Sequence, residues 1–174
     1  MGQLAAAEAT PNRETLIMIE YPSIAAIPLG LWLGRLYESS SRRLLGRGPK
    51  LSQLLALPTA PIGVLLYAWQ KLLGDRYVLT NKTLTIQTAI TRRSKQSVPL
   101  DEVNLIQSHS EPGHQFFTAA DLKVLDNENR ETMVLAGVKE PDAFRNAIQQ
   151  AVAAKAQVAI AAARIQLRTT QTTT

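Results

Sequence analysis

The stretch Arg76-Tyr77-Val78-Leu79-Thr80-Asn81-Lys82-Thr83-Leu84-Thr85-Ile86 decides how the rest of the chain is read. Tyr77 to Thr80 are good strand formers, and Thr83 to Ile86 alternates polar with apolar. Asn81-Lys82 between them reads as a two-residue turn, with Asn81 expected to supply the positive φ of a tight hairpin. Before this stretch the chain is apolar and broken by Pro and Gly. After it the chain reads as a small antiparallel sheet closed by a helix.

Downstream, strands are expected at Arg76–Thr80, Thr83–Ile90, Ser94–Pro99, Asn104–Ser108, Asp121–Asp126 and Thr132–Val138, joined by short turn-like links. Leu84 with Ile86, Val98 with Leu100, Leu122 with Val124 and Met133 with Leu135 alternate as a half-buried sheet requires. Glu140-Pro141 opens the closing helix, with Asp142 at the positive end of its dipole. Phe144, Ile148 and Val152 form its inward stripe. The Ala-rich run from Ala151 to Leu167 extends it, and Thr169 to Thr174 is expected to fray.

Upstream, Ser23–Gly34 and Leu51–Gln70 carry no charge. Trp32, Tyr37, Tyr67 and Trp69 sit near their ends, as interfacial aromatics do. Neither stretch shows the polar face of a surface helix. The second is long enough to span a bilayer, and the first is so only if counted from Leu16. The expectation is therefore an apolar helical hairpin over 16–72, a membrane segment, following a mobile N-terminus over 1–15; the alternatives are a pair of buried core helices and an interfacial or re-entrant hairpin. Basic residues in the loop (Arg42, Arg43, Arg47 and Lys50, with Arg35 at its start) nearly balance those on the flanks, and the comparison leans slightly against the orientation adopted here, with both termini in the cytoplasm.

The 174-residue chain carries net charge +5 and suits an anionic surface without demanding one. It has no Cys, which excludes disulfides, thiolate catalysis and Cys-based metal sites. Met1–Thr10 lacks the pattern of a secretory signal. His109-Ser110-Glu111 brings catalytic residue types together, but neighbours on a strand point to opposite faces and do not converge. His114, beside Gly113, is expected in a solvated turn. Asp101-Glu102 reads as a turn with solvated charges before it reads as an acid–base pair. Neither cofactor nor metal is expected. Arg92, Arg93 and Lys95 form the densest basic cluster of the sheet region and are the candidate contacts to anionic lipid. Lys155 and Arg164 lie about 180° apart around their helix, so no nucleic-acid face is expected there.

Four segments carry a family resemblance: Tyr77-Val78-Leu79-Thr80-Asn81; Val98-Pro99-Leu100 with Val103 and Ile106; Phe116 to Val124; and Leu135 to Ile148 with Glu140-Pro141. Tyr21-Pro22-Ser23 ahead of the first apolar stretch adds to them. Together they resemble the bacterial pleckstrin-homology-like membrane proteins, the YdbS-like group, over about residues 16 to 152. Thr83 stands where that group usually has a basic residue, and Ala120 where it often has Gly. The resemblance implies an α+β chain: a seven-stranded, strongly bent antiparallel sheet or barrel over 74–152, capped by a C-terminal helix and held at the membrane by the apolar hairpin. Residues 153–174 would be the helix extension and tail. The seventh strand is expected within 111–119, around Gln115-Phe116-Phe117-Thr118. Tyr77, Leu79, Thr80 and Asn81 would be structural motif residues. Eukaryotic pleckstrin-homology domains bind phosphoinositides in a long first hairpin loop, and Asn81-Lys82 is too short for one.

The expected function is a non-enzymatic, membrane-anchored module, with its sheet domain in the cytoplasm at the inner membrane. It would present a surface to lipid or to a protein partner, with self-association possible in principle. The alternative is an accessory subunit of a larger membrane complex. A hydrolase using His109 or Asp101-Glu102 ranks third.

Overall fold

The computed structural model describes residues 14–39 and 51–172. The basic loop residues Arg42, Arg43, Arg47 and Lys50, and nearly all of the expected mobile N-terminus, lie outside the described residues.

Seven strands form two antiparallel sheets. β1 (Leu16–Glu20), β2 (Asp75–Thr80), β3 (Thr83–Thr88) and β4 (Ser94–Pro99) make the first, in the order β1-β2-β3-β4. β5 (Leu105–His109), β6 (Ala119–Leu125) and β7 (Glu131–Lys139) make the second, in chain order. Three α-helices, α1 (Pro28–Ser39), α2 (Leu51–Leu73) and α3 (Pro141–Thr172), and two single 3-10 turns, Ile24–Ala26 and Gln115–Phe117, complete the described chain.

The sheets meet along β7. The Tyr77 hydroxyl donates to the Ala136 carbonyl at 2.7 Å, and the Gln96 amide donates to the Thr132 carbonyl. Just past β1, Pro22 bridges Val138 and the Ser23 N–H donates to the Gly137 carbonyl at 2.8 Å. Gly137 has φ +58, and a Cβ there would stand 2.5 Å from the Ala26 backbone nitrogen, so only glycine lets the crossing chain this close. Tyr21-Pro22-Ser23 is thus the crossing point of the N-terminal strand over the second sheet.

Between the sheets lie Leu79, Leu84, Leu122, Val124 and Leu135, all fully buried. α3 closes the open end with Phe144, Ile148 and Ala151, and Val152 packs partly buried beside them. Burying a side chain such as Phe144 contributes roughly 1.5–3 kcal/mol. Past this stripe, Lys155 pairs with Asp101 at 2.7 Å, and the helix from Ala156 to Arg168 is exposed. Thr169–Thr172, expected to fray, fall within the helix, and the last two residues lie outside the described chain.

Two expectations are corrected. The first is the apolar membrane hairpin over 16–72: among the described residues no helix is long and apolar enough to cross a membrane. Leu16–Glu20 is a strand paired with β2. α1 has 12 residues, about 18 Å of helix against a hydrocarbon core of about 30 Å. α2 runs 23 residues, Leu51–Leu73, and Gly63, Gln70 and Lys71 break up the apolar sequence of its described part. The second concerns the seventh strand. Gln115–Phe117 is a single 3-10 turn, closed by Thr118 in the left-handed region at φ 50, and β1 supplies the seventh strand instead.

Candidate contact surface

The quoted hairpin forms, but Asn81 does not adopt a positive φ. The Thr80 hydroxyl instead accepts from the Thr83 N–H at 2.9 Å and the Lys82 N–H at 3.2 Å, closing the turn with a side chain. The Asn81 carboxamide oxygen accepts from the Thr15 N–H at 2.8 Å, and the Asn81 N–H donates to the Thr15 carbonyl at 3.0 Å. Asn81 therefore receives the incoming N-terminal strand. The Glu14 carboxylate accepts from the Thr80 and Thr83 hydroxyls, each at 2.8 Å. These two bonds hold its pKa below the ordinary value. Tyr77 spans the two sheets, and burial, reinforced by the Asp75 charge, pushes its hydroxyl pKa up. Leu79 lies in the core.

The segment Glu111–Thr118 is clasped by α1. Arg35 donates to the Pro112 carbonyl at 2.9 Å and pairs with Glu111 at 3.1 Å. The Glu38 carboxylate accepts from the Gly113 and Phe116 N–H groups, and Tyr37 stacks on Phe116 with centroids 4.6 Å apart. His114, expected in a solvated turn, is fully buried under this clasp. Its Nδ1 accepts from the Glu111 N–H at 2.8 Å, and its Nε2 lies 3.5 Å from an Asp121 oxygen that already accepts from the Gly137 N–H. Its role is to fold a buried loop.

His109 ends β5, exposed and opposite Asp121. Asp101 is drawn into the ion pair that pins α3. The structure brings neither His109-Ser110-Glu111 nor Asp101-Glu102 into a convergent constellation. No group of three or more metal-ligating side chains occurs among the described residues.

The surface that stands out is built by α2. Ile62, Val64, Leu65, Tyr67, Trp69, Leu72 and Leu73 are all exposed, Leu65 at 70%. A helix apolar on every side is normally buried, and this one leaves its apolar area uncovered among the described residues. Its C-terminal end is fixed to the sheet. The Gly74 N–H donates to the Gln70 carbonyl, and the Gly74 carbonyl accepts from the Ala89 N–H, each at 2.9 Å. That bond sets the β3–β4 turn beside the last turn of α2. Arg92, at the turn's tip, sits in the left-handed region at φ 55, and Arg93 follows it, both exposed. Lys95 is tied to Asp75 by an ion pair at 2.5 Å. Lys71 lies 5.7 Å from the Tyr67 ring centroid, and Tyr21 and Ile90 stand exposed alongside. Apolar helix, aromatic rings and exposed guanidinium groups thus share one edge. The sequence placed Arg92, Arg93, Tyr67 and Trp69 near chain breaks but could not show that Tyr21 and Lys71 join them. The only local hint was the four-residue spacing of Tyr67 and Lys71.

The model of the bacterial PH domain matches residues 16–152, the span in which the two sheets, the clasp and the first turns of α3 lie. The chain belongs to the bacterial PH domain family. No curated protein matches it. Among solved structures, a DUF1696 family protein with a pleckstrin-homology domain from Shewanella loihica PV-4 is 17% identical, over 57% of this chain and 92% of that one, with a TM-score of 0.34. A pleckstrin homology domain from Shewanella amazonensis SB2B is 19% identical, over 57% of this chain and 86% of that one, with a TM-score of 0.35. The family assignment rests on the sequence match. Membership supports a PH domain serving as a module for protein or lipid contact.

Proposed function

We propose that this PH domain is a non-enzymatic contact module that lays the end of α2 and the β3–β4 turn against anionic lipid headgroups, at the inner face of the cell membrane and with the domain on the cytoplasmic side. The observation that carries the reading is the exposed apolar α2 held beside Arg92 and Arg93. Apolar side chains enter the headgroup boundary as an interfacial helix does, and each nearby cation adds about 1 kcal/mol on an anionic surface. Lys95, engaged with Asp75, contributes less.

The test is co-sedimentation of the full chain with vesicles containing phosphatidylglycerol, against pure phosphatidylcholine, at low and high salt. Binding should require the anionic lipid and weaken with salt. Arg92→Gln with Arg93→Gln should weaken it by roughly tenfold or more, at about 1 kcal/mol for each charge. Equal binding to both vesicle types, or none, overturns the reading.

A second reading is a protein partner, the chain serving as an accessory subunit. The apolarity of α2 around its whole exposed circumference favours it, because a partner helix could cover what a flat surface leaves bare. Co-purification in mild detergent that is lost in Leu65→Lys would support it. Self-association belongs here too, since α3 beyond Lys155 leaves Val158 and Ile160 exposed. Sedimentation velocity of the full chain tests that.

A further inference from the structure

Two adjoining cavities flank the contact surface. One, of about 340 Å3, is lined by Glu20, Tyr21, Tyr67, Gln70, Lys71 and Lys139, with Phe117 as a further wall. The other, of about 480 Å3, lies across the same Tyr21, Tyr67 and Lys71, and the rest of its wall is Ala68, Leu72, Ala89 and Ile90. Both fall in the size range of small-molecule sites, and each pairs apolar walls with a few polar groups.

The two differ in chemistry. The first is lined by two lysines, Lys71 and Lys139, and one carboxylate residue, Glu20, together with Tyr21, Tyr67 and Phe117. The side chains of Glu20, Gln70 and Lys139 make no hydrogen bond or ion pair among the described residues, and Lys71 has only the Tyr67 ring. Desolvation, then the neighbouring Glu140 charge, raises the Glu20 pKa, with Lys139 opposing them. Two lysines act as point charges for a phosphate. The carboxylate repels a second anion and accepts a cation. Apart from Lys71, the second cavity offers only apolar side chains and the shared tyrosines.

We infer that the paired cavities form a site for one amphiphile, whose head carries a phosphate next to a primary amine. The phosphate sits between Lys71 and Lys139, the amine faces Glu20, and the start of the apolar chain passes the Tyr21–Tyr67 wall into the second cavity. This deepens the lipid-contact reading and rests on it, because the shared wall belongs to the same surface.

The experiment is calorimetric titration of the full chain with dihexanoyl phosphatidylethanolamine below its micelle concentration. Dihexanoyl phosphatidylglycerol, O-phosphoethanolamine and inorganic phosphate serve as comparisons. The ethanolamine lipid should bind tightest. Lys139→Gln should weaken it about tenfold, the order of one charge-assisted hydrogen bond. Glu20→Gln should remove the preference for ethanolamine over glycerol. An unchanged melting curve shows that each variant still folds. No binding of the ethanolamine lipid, equal binding by Lys139→Gln, or equal binding of phosphate alone (a free-anion site) overturns the inference. The vesicle assay separates the two claims. Anionic vesicle binding without short-chain binding fells the cavity site alone. Short-chain binding without vesicle binding fells the surface reading, and with it the premise that the site serves a membrane.

Discussion

The β-sheet core and helix α2 are built from similar residues and end in opposite environments. Leu79, Leu84, Leu122 and Leu135 are shut between two sheets, while Leu65, Leu72 and Leu73 of α2 stand in the open. The core residues find partners because alternation sends every second side chain to one face, where the opposite sheet and α3 receive it. α2 has no such division, so no single packing face can cover it. Apolar sequence has one of two fates here: it closes the domain, or it stays exposed along α2.

The sharpest way to break this comparison is to truncate one residue of each kind. Phe144→Ala, at a fully buried site beneath the sheets, should cost about 3–5 kcal/mol in urea denaturation. Leu65→Ala should change stability by less than about 0.5 kcal/mol while weakening vesicle or partner binding. If Leu65→Ala destabilises as much as Phe144→Ala does, α2 belongs to the core.

A smaller effect should come from the seam between the sheets. Tyr77→Phe removes the donor to the Ala136 carbonyl and should cost about 1–2 kcal/mol by leaving a part-buried acceptor unpaired. Amide exchange should then quicken in β2 and β7 and stay unchanged in α2. Uniform quickening would mean that the hydroxyl holds no particular seam.

The smallest effect is a pH dependence. The Thr80 and Thr83 hydroxyls hold the Glu14 pKa in the folded state below its ordinary value of 4.5. Its contribution is therefore present above about pH 4.5 and is lost as pH falls through the folded-state pKa. Glu20 has the opposite sign. Its folded-state pKa is raised, so its ionisation works against folding as pH climbs from 4.5 through that higher value. Acid titration of stability should be shallower in Glu14→Gln and steeper in Glu20→Gln than in the unmodified chain. Identical curves for all three would show that neither carboxylate is coupled to folding.

Six strands and the start of α3 were legible because their signals are local: alternation, turn residues, and Pro141 after Glu140. β1 was not. Leu16-Ile17-Met18-Ile19 reads as the start of an apolar helix until β2, some sixty residues on, pairs with it. The same distance hid the work of Asn81, whose carboxamide answers a backbone N–H at Thr15. Residue type marked Arg92, Arg93 and Lys95 as a cluster, but only the fold shows Lys95 held by Asp75 while the arginines stay exposed. His114 looked solvated because Gly113 marks a turn. Burial came from α1 closing over that turn, with a Cβ at Gly113 standing 2.5 Å from the Leu31 carbonyl oxygen.

By itself, the sequence determined the antiparallel strands, the closing helix and the absence of thiol chemistry, since each follows from the order or type of neighbouring residues. Only the tertiary structure decided which apolar segment is core and which is surface, and where β1 pairs. It alone joined Tyr21, Tyr67 and Lys71 in one wall. The physical reason is that burial and convergence depend on contacts between residues far apart in the chain, while periodicity reports only the face a residue shares with its near neighbours.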